Sequence, residues 1–117
     1  MKYMALIYMA EGREPTPDSA EFGPWMARWQ EVTKIFEDAG VMRGGDPLEP
    51  TATATSVRVR GGKTETMDGP FAETKEQLGG YYILDCAHLD EAIKYASMLP
   101  AAELGTVEIR PIMDYSE

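Results

Sequence analysis

KYMALIYM, residues 2–9, is apolar at every position except its first. A strand that faces water on one side alternates polar with apolar residues, so a continuous apolar run of this length suits a central strand covered on both faces. Residues 81–85, YYILD, read the same way. Two such strands call for a sheet with helices on one face and something equally apolar on the other.

Working outward, EGREPTPDSAE at residues 11–21 is a polar loop with two prolines. A helix is expected from Phe22 to Ala39, where Trp25, Trp29, Val32, Phe36 and Ala39 recur at steps of four and three. Gly40 suits the left-handed residue that ends it, and Val41 begins a short extended segment before Gly44 and Gly45. TATATSVRVR at residues 51–60, the pair Gly61-Gly62 and KTETM at residues 63–67 read as a β-hairpin. A second helix is expected from about Leu89 to Leu99, with His88 at its N-cap and Pro100 closing it. A last strand runs from Thr106 to Met113, with Val107 and Ile109 opposite Glu108 and Arg110. Gly44-Gly45 and Gly79-Gly80 lack phosphate-loop spacing and read as turns or bulges.

Strand, helix, strand, hairpin, strand, helix, strand is the order of an α+β, ferredoxin-like sheet with its helices on one face. The other face needs a partner, most simply a second copy, so a homodimer is expected. A single domain over residues 1–117 fits the length.

Charge and composition exclude several classes. Eleven basic against 20 acidic residues oppose the attraction that drives binding to phosphate backbones, so no nucleic-acid partner is expected. No run approaches the roughly 20 apolar residues of a membrane helix, and residues 3–10 lack a signal-peptide cleavage pattern. Cys86 is the only cysteine and reads as a buried small hydrophobe in a reducing, cytoplasmic compartment. One histidine and one cysteine argue against a metal site, and no cofactor is expected.

DGPFAETKEQLGGYY, residues 68–82, resembles the DGPF signature of the YCII-related family. KYMALIY, TATATSVRVRGGK, LDEAIKYA and GTVEIRPI are similar to that family's pattern in the same order, so the resemblance spans nearly the whole chain. It implies a dimeric α+β barrel, in which two ferredoxin-like sheets pack face to face. The wider superfamily holds isomerases, elimination enzymes, monooxygenases and pure ligand binders, so catalysis and binding both stay open. Genes for DGPF proteins often neighbour those of extracytoplasmic-function sigma factors, which implies a possible sigma-factor association. The wider family is described with a histidine on its first helix paired with an aspartate. The helix from Phe22 to Ala39 contains no histidine, and that dyad is not carried over.

The candidate site residues cluster at the DGPF motif. Asp68, Glu73 and Lys75 are the candidates for acid/base work, since a carboxylate beside an ammonium can move a proton on a small substrate. Gly69, Pro70, Phe71, Glu76 and Arg110 are the candidates for ligand binding, Arg110 because a guanidinium presents a fork to a carboxylate. A bland reading stands beside this one: Asp68 accepts backbone hydrogen bonds in a turn, Gly69 and Pro70 shape it, Phe71 anchors it, and Arg110 forms a fixed ion pair. Asp68 is expected to be the costliest carboxylate to remove: on the bland reading alanine costs about 1–2 kcal/mol, and on the acid/base reading Asp68→Asn leaves folding nearly intact and abolishes turnover.

Two functions follow. One is a small-molecule enzyme or binding protein with a cleft gated by the DGPF loop; the other is a regulatory module beside a sigma factor. A cavity lined by Asp68 or Glu73 with Arg110 would favour the first, and a loop sealed by Phe71 and Tyr82 the second.

Overall fold

The computed structural model describes residues 1–115. Strand β1 (Lys2–Met9) lies between β5 (Gln77–Asp85) and β6 (Thr106–Pro111), and β2 (Met42–Pro47) pairs with the far side of β5. The sheet order is β2-β5-β1-β6 and every pair is antiparallel. This is the ferredoxin-like arrangement that the order of elements led us to expect.

Register decides which side chains share a face. Ala5 stands opposite Tyr82 and Ile109, and Tyr3 opposite Leu84. Tyr3, Ala5, Ile7 and Met9 are buried together with Trp25, Val32, Phe36, Leu84, Cys86 and Leu99. The alternate residues Met4, Leu6 and Tyr8 of β1, with Tyr81 and Ile83 of β5, carry the opposite face and are only half-buried.

Helix α1 (Phe22–Asp38) lays Trp25, Val32 and Phe36 onto the first face. Pro24 falls in its first turn, where a missing N–H costs little. At its other end Gly40 has φ +73°, Gly40 N–H donates to Glu37 O, and Val41 N–H donates to Phe36 O. That bond pair is the Schellman stop, which satisfies carbonyls the helix leaves open.

Helix α2 (Leu89–Ala96) starts from His88, whose Nδ1 accepts from Glu91 N–H at 3.3 Å, while Glu91 Oε1 accepts from Ala87 N–H at 2.9 Å. The pair is similar to a capping box, with imidazole in place of a hydroxyl and with Glu91 reaching back to the residue before the cap instead of to the cap itself. The helix is shorter than its apolar spacing suggested. It ends at Ala96, and Pro100 does not close it but opens the next helix, α3 (Ala101–Leu104). Proline lacks only an N–H that a first turn leaves unused, and its φ of −54° is already helical.

The hairpin is β3 (Thr55–Arg60) and β4 (Lys63–Asp68), turning at Gly61-Gly62. It too is shorter than expected, because Thr51–Thr53 form a 3-10 turn in which Thr53 N–H and Oγ1 both donate to Pro50 O. The pair forms its own two-stranded sheet. Every residue of both strands except Ser56 is exposed. The radius of gyration, 16.3 Å, exceeds the roughly 13 Å of a compact chain of this length, as an arm standing off the body requires.

Candidate functional site

A cavity of about 300 Å³ opens between α1 and the β2-β5-β1 part of the sheet. Ile7 and Met9 of β1, Met42 of β2, Tyr82 of β5, and Met26, Trp29 and Thr33 of α1 line it, with Glu14, Asp46 and Pro47 at its edge. The backbone makes the room. The pairing of β1 with β5 slips between Ile7 and Tyr8, leaving Gly79 as an extra residue, and that of β2 with β5 slips between Met42 and Gly44. Bulges of this kind bend a strand and re-aim its side chains. Gly79 and Gly80, both lining the cavity, place no side chain in the space beneath α1.

Aromatic contacts stiffen the inner wall. Trp29 stacks on Tyr82 with ring centres 6.5 Å apart and planes 5° from parallel, and Trp25 meets Trp29 edge-on at 6.0 Å. Tyr82 Oη and Thr33 Oγ1 are hydrogen-bonded at 2.8 Å. At the edge, Trp25 Nε1 donates to Glu14 Oε2 at 3.4 Å, and Tyr81 Oη donates to Asp46 Oδ2 at 2.9 Å. The wall is therefore largely apolar, with the Glu14 carboxylate at its rim, the Asp46 carboxylate turned to Tyr81 on the other face of the sheet, and no lysine or arginine in its lining.

Asp46 holds the Tyr81 phenol above its ordinary value of 10.0, first by the hydrogen bond and then by its negative charge. The shift favours the neutral phenol in the folded protein. Its stabilising effect is complete below the ordinary value and is lost as pH rises through the higher folded one. Tyrosine ring resonances followed by NMR should show Tyr81 titrating late, and Asp46→Asn should bring it down. An unchanged titration in that variant would remove Asp46 as the cause.

The residues singled out in the DGPF stretch stand elsewhere. None of residues 68–76, nor Arg110, lines this cavity. Asp68 ends β4 opposite Thr55 and is exposed, as are Glu73 and Lys75 on the loop that follows. Gly69 N–H donates to Ala54 O at 2.7 Å, and Gly69 O accepts from Ser56 Oγ at 2.9 Å. Pro70 is half-buried, whereas Phe71 is 81% exposed and neither anchors nor seals the loop. Glu76 Oε1 accepts from Thr106 Oγ1 at 2.9 Å. Arg110 lies on β6, the edge strand farthest from β2. It is exposed on the same side as Glu108, and no ion pair joins it to a loop carboxylate among the described residues.

The turn at Asp68 thus differs from its sequence reading. The bond that closes the base of the arm runs from backbone to backbone, Gly69 to Ala54, and the Asp68 carboxylate meets no donor among the described residues. Asp68→Ala is accordingly expected to change stability by less than about 0.5 kcal/mol, as other exposed substitutions do. A loss above 1 kcal/mol in urea unfolding would restore the side-chain role.

Cys86 is buried as expected, and burial is the main cause that pushes its thiol up. It packs with Leu84, Ala92 and Leu99 in the core. Among the described residues no three metal-ligating side chains gather. No helix there is long and apolar enough to cross a membrane.

Fold and cleft together define a small α+β protein of the ferredoxin-like kind, with a ligand-sized space beneath its first helix. The chain belongs to the YCII-related domain family, whose pattern matches residues 1–116. It is 39% identical over 117 residues to an uncharacterised protein of Rhizobium meliloti (strain 1021), covering 98% of this chain and 94% of that one. Among solved structures it is similar to 5-chloro-2-hydroxyhydroquinone dehydrochlorinase from Burkholderia phenoliruptrix AC1100, determined in complex with 2,5-dihydroxybenzoquinone. The TM-score is 0.51, over 97% of this chain and 94% of that one, at 10% identity. That likeness is one of fold.

Proposed function

We propose that the cleft beneath α1 binds a small, flat, hydroxylated molecule and acts on it by proton transfer. The observation that carries this reading is the wall itself: Trp29, Tyr82 and three methionines offer apolar contact to a ring, while Glu14 offers a hydrogen-bond acceptor at the rim. A carboxylate that accepts from a ring hydroxyl is placed to take its proton. The dihydroxylated quinone bound by the dehydrochlorinase of the same fold has this chemistry.

The DGPF loop enters this reading as a gate. Gln77 Nε2 donates to Ala72 O and Thr74 O, tying the loop to the strand that carries Gly79 and Gly80 into the cleft. Movement of the loop would reach the cleft floor by that route. Asp68, Glu73 and Lys75 are then groups of the gate, and Glu76 fixes its end to Thr106. The same reading takes the molecule as a homodimer in the cytoplasm, with Met4, Leu6, Tyr8, Tyr81 and Ile83 against a second copy. The alternative, a non-enzymatic module beside a sigma factor, needs no ligand in the cleft.

Trp25 and Trp29 are the only tryptophans, and Trp29 walls the cavity, so fluorescence reads occupancy directly. Titration with hydroquinones and catechols should give saturable quenching for at least one compound. Gly79→Leu should weaken it by on the order of tenfold or more by filling the space, since a Cβ at Gly79 meets nothing within 4 Å. No saturable response from any compound, or an unaltered one in Gly79→Leu, would sink the proposal.

A further inference from the structure

The arm formed by β3 and β4 is in a position that two strands alone do not hold well in water. An isolated hairpin is marginally stable at best, and this one exposes apolar residues on both faces. Val57 and Val59 are 63% and 58% exposed on one face, Met67 is 44% exposed on the other, and Phe71 at its base is 81% exposed. Its charge is also out of keeping with the rest of the chain. Arg58, Arg60 and Lys63 outnumber Glu65 and Asp68 within residues 55–68, whereas the remainder carries 18 acidic residues against eight basic.

We propose that the arm docks on a second copy of this chain, across the mouth of that copy's cleft. This rests on the homodimer proposed above. The arm is the basic element of an acidic protein, so the surface that best complements it is that of another copy. The cleft mouth supplies the matching features: Glu14 at the rim, Glu49 exposed just beyond it, and Met26 and Leu48 exposed at 40% and 46%. Met67 lies against the two apolar side chains, while Arg60 and Lys63, on the same face of the arm and nearer its tip, meet the carboxylates. The partner's arm then brings the cleft the positive charge that its own lining lacks.

Zero-length carbodiimide cross-linking, which joins a lysine amine to a carboxylate in contact with it, tests this on the native sequence. Protein labelled with ¹⁴N and protein labelled with ¹⁵N are unfolded together and refolded as a mixture, and light scattering records the oligomeric state. Lys63 should appear in mixed-isotope peptides joined to Glu14 or Glu49. Met67→Asp, on the face that carries Lys63, should cut their yield by about tenfold or more. A dimer in which Lys63 links only within its own chain, or only to other carboxylates of the second copy, overturns the arm while leaving the dimer. A species of 13.0 kDa alone overturns both.

Discussion

Phe36→Ala is expected to lower unfolding free energy by about 3–5 kcal/mol, the range for removing a fully buried aromatic ring. Phe36 is 0% exposed. Its ring meets Tyr82 of β5 edge-on at 5.4 Å and Tyr95 of α2 edge-on at 5.6 Å, so one side chain joins the first helix, the sheet and the second helix. Its carbonyl also accepts the Val41 N–H that stops α1, a bond the substitution leaves in place, so the loss reads packing alone. Domains of this size have about 5–15 kcal/mol in total, and the variant should unfold at a far lower urea concentration. Phe36→Leu should cost less than half as much, because it keeps most of the volume. A loss below about 1 kcal/mol for Phe36→Ala would mean that the cluster is not packed as described.

Gly105→Ala is expected to cost about 3 kcal/mol, the upper end for overpacking a rigid site. Gly105 links α3 to β6, and a Cβ there would collide with the backbone oxygen of Tyr8 and approach Met9 Cγ and Cα at 2.9 and 3.1 Å. The backbone of a central strand cannot swing aside as a long side chain can. Relief requires β6 to move off β1. The φ of −145° is not in the left-handed region, and the predicted cost rests on the contact. Gly79→Ala is the matched control, with nothing within 4 Å of its new methyl and an expected change under about 0.5 kcal/mol. Equal urea midpoints for the two variants would refute the collision.

The fold was legible because its signals are local or periodic. KYMALIYM and YYILD lack a polar face, the 25-29-32-36 spacing marks one side of α1, and Gly40 and His88 announce helix ends by chemistry that acts within four residues. Pro100 misled because proline both ends helices and begins them, and only the buried Leu99 and Ala101 around it decide which. The cleft was not legible, since its wall joins Ile7, Asp46 and Tyr82 through strand register and adds Glu14 and Trp29 from the loop and helix packed above them, which no spacing in the sequence states. The Gly44-Gly45 and Gly79-Gly80 pairs, read as bulges, were the nearest signal. The DGPF stretch drew attention by composition, yet its turn is closed by a cross-strand backbone bond between Gly69 and Ala54, which leaves the Asp68 side chain without the work assigned to it.

The central place of β1 has a consequence for how the chain is made. Its partners are residues 77–85 and 106–111, so this strand is made well before either segment that pairs with it. While the intervening residues are made, KYMALIYM has neither of its native strand partners. Such pairings close slowly, and a waiting strand of this composition is a target for aggregation and for chaperones that hold nascent chains. The feature that makes the sheet stable once complete is the one that makes the unfinished chain vulnerable.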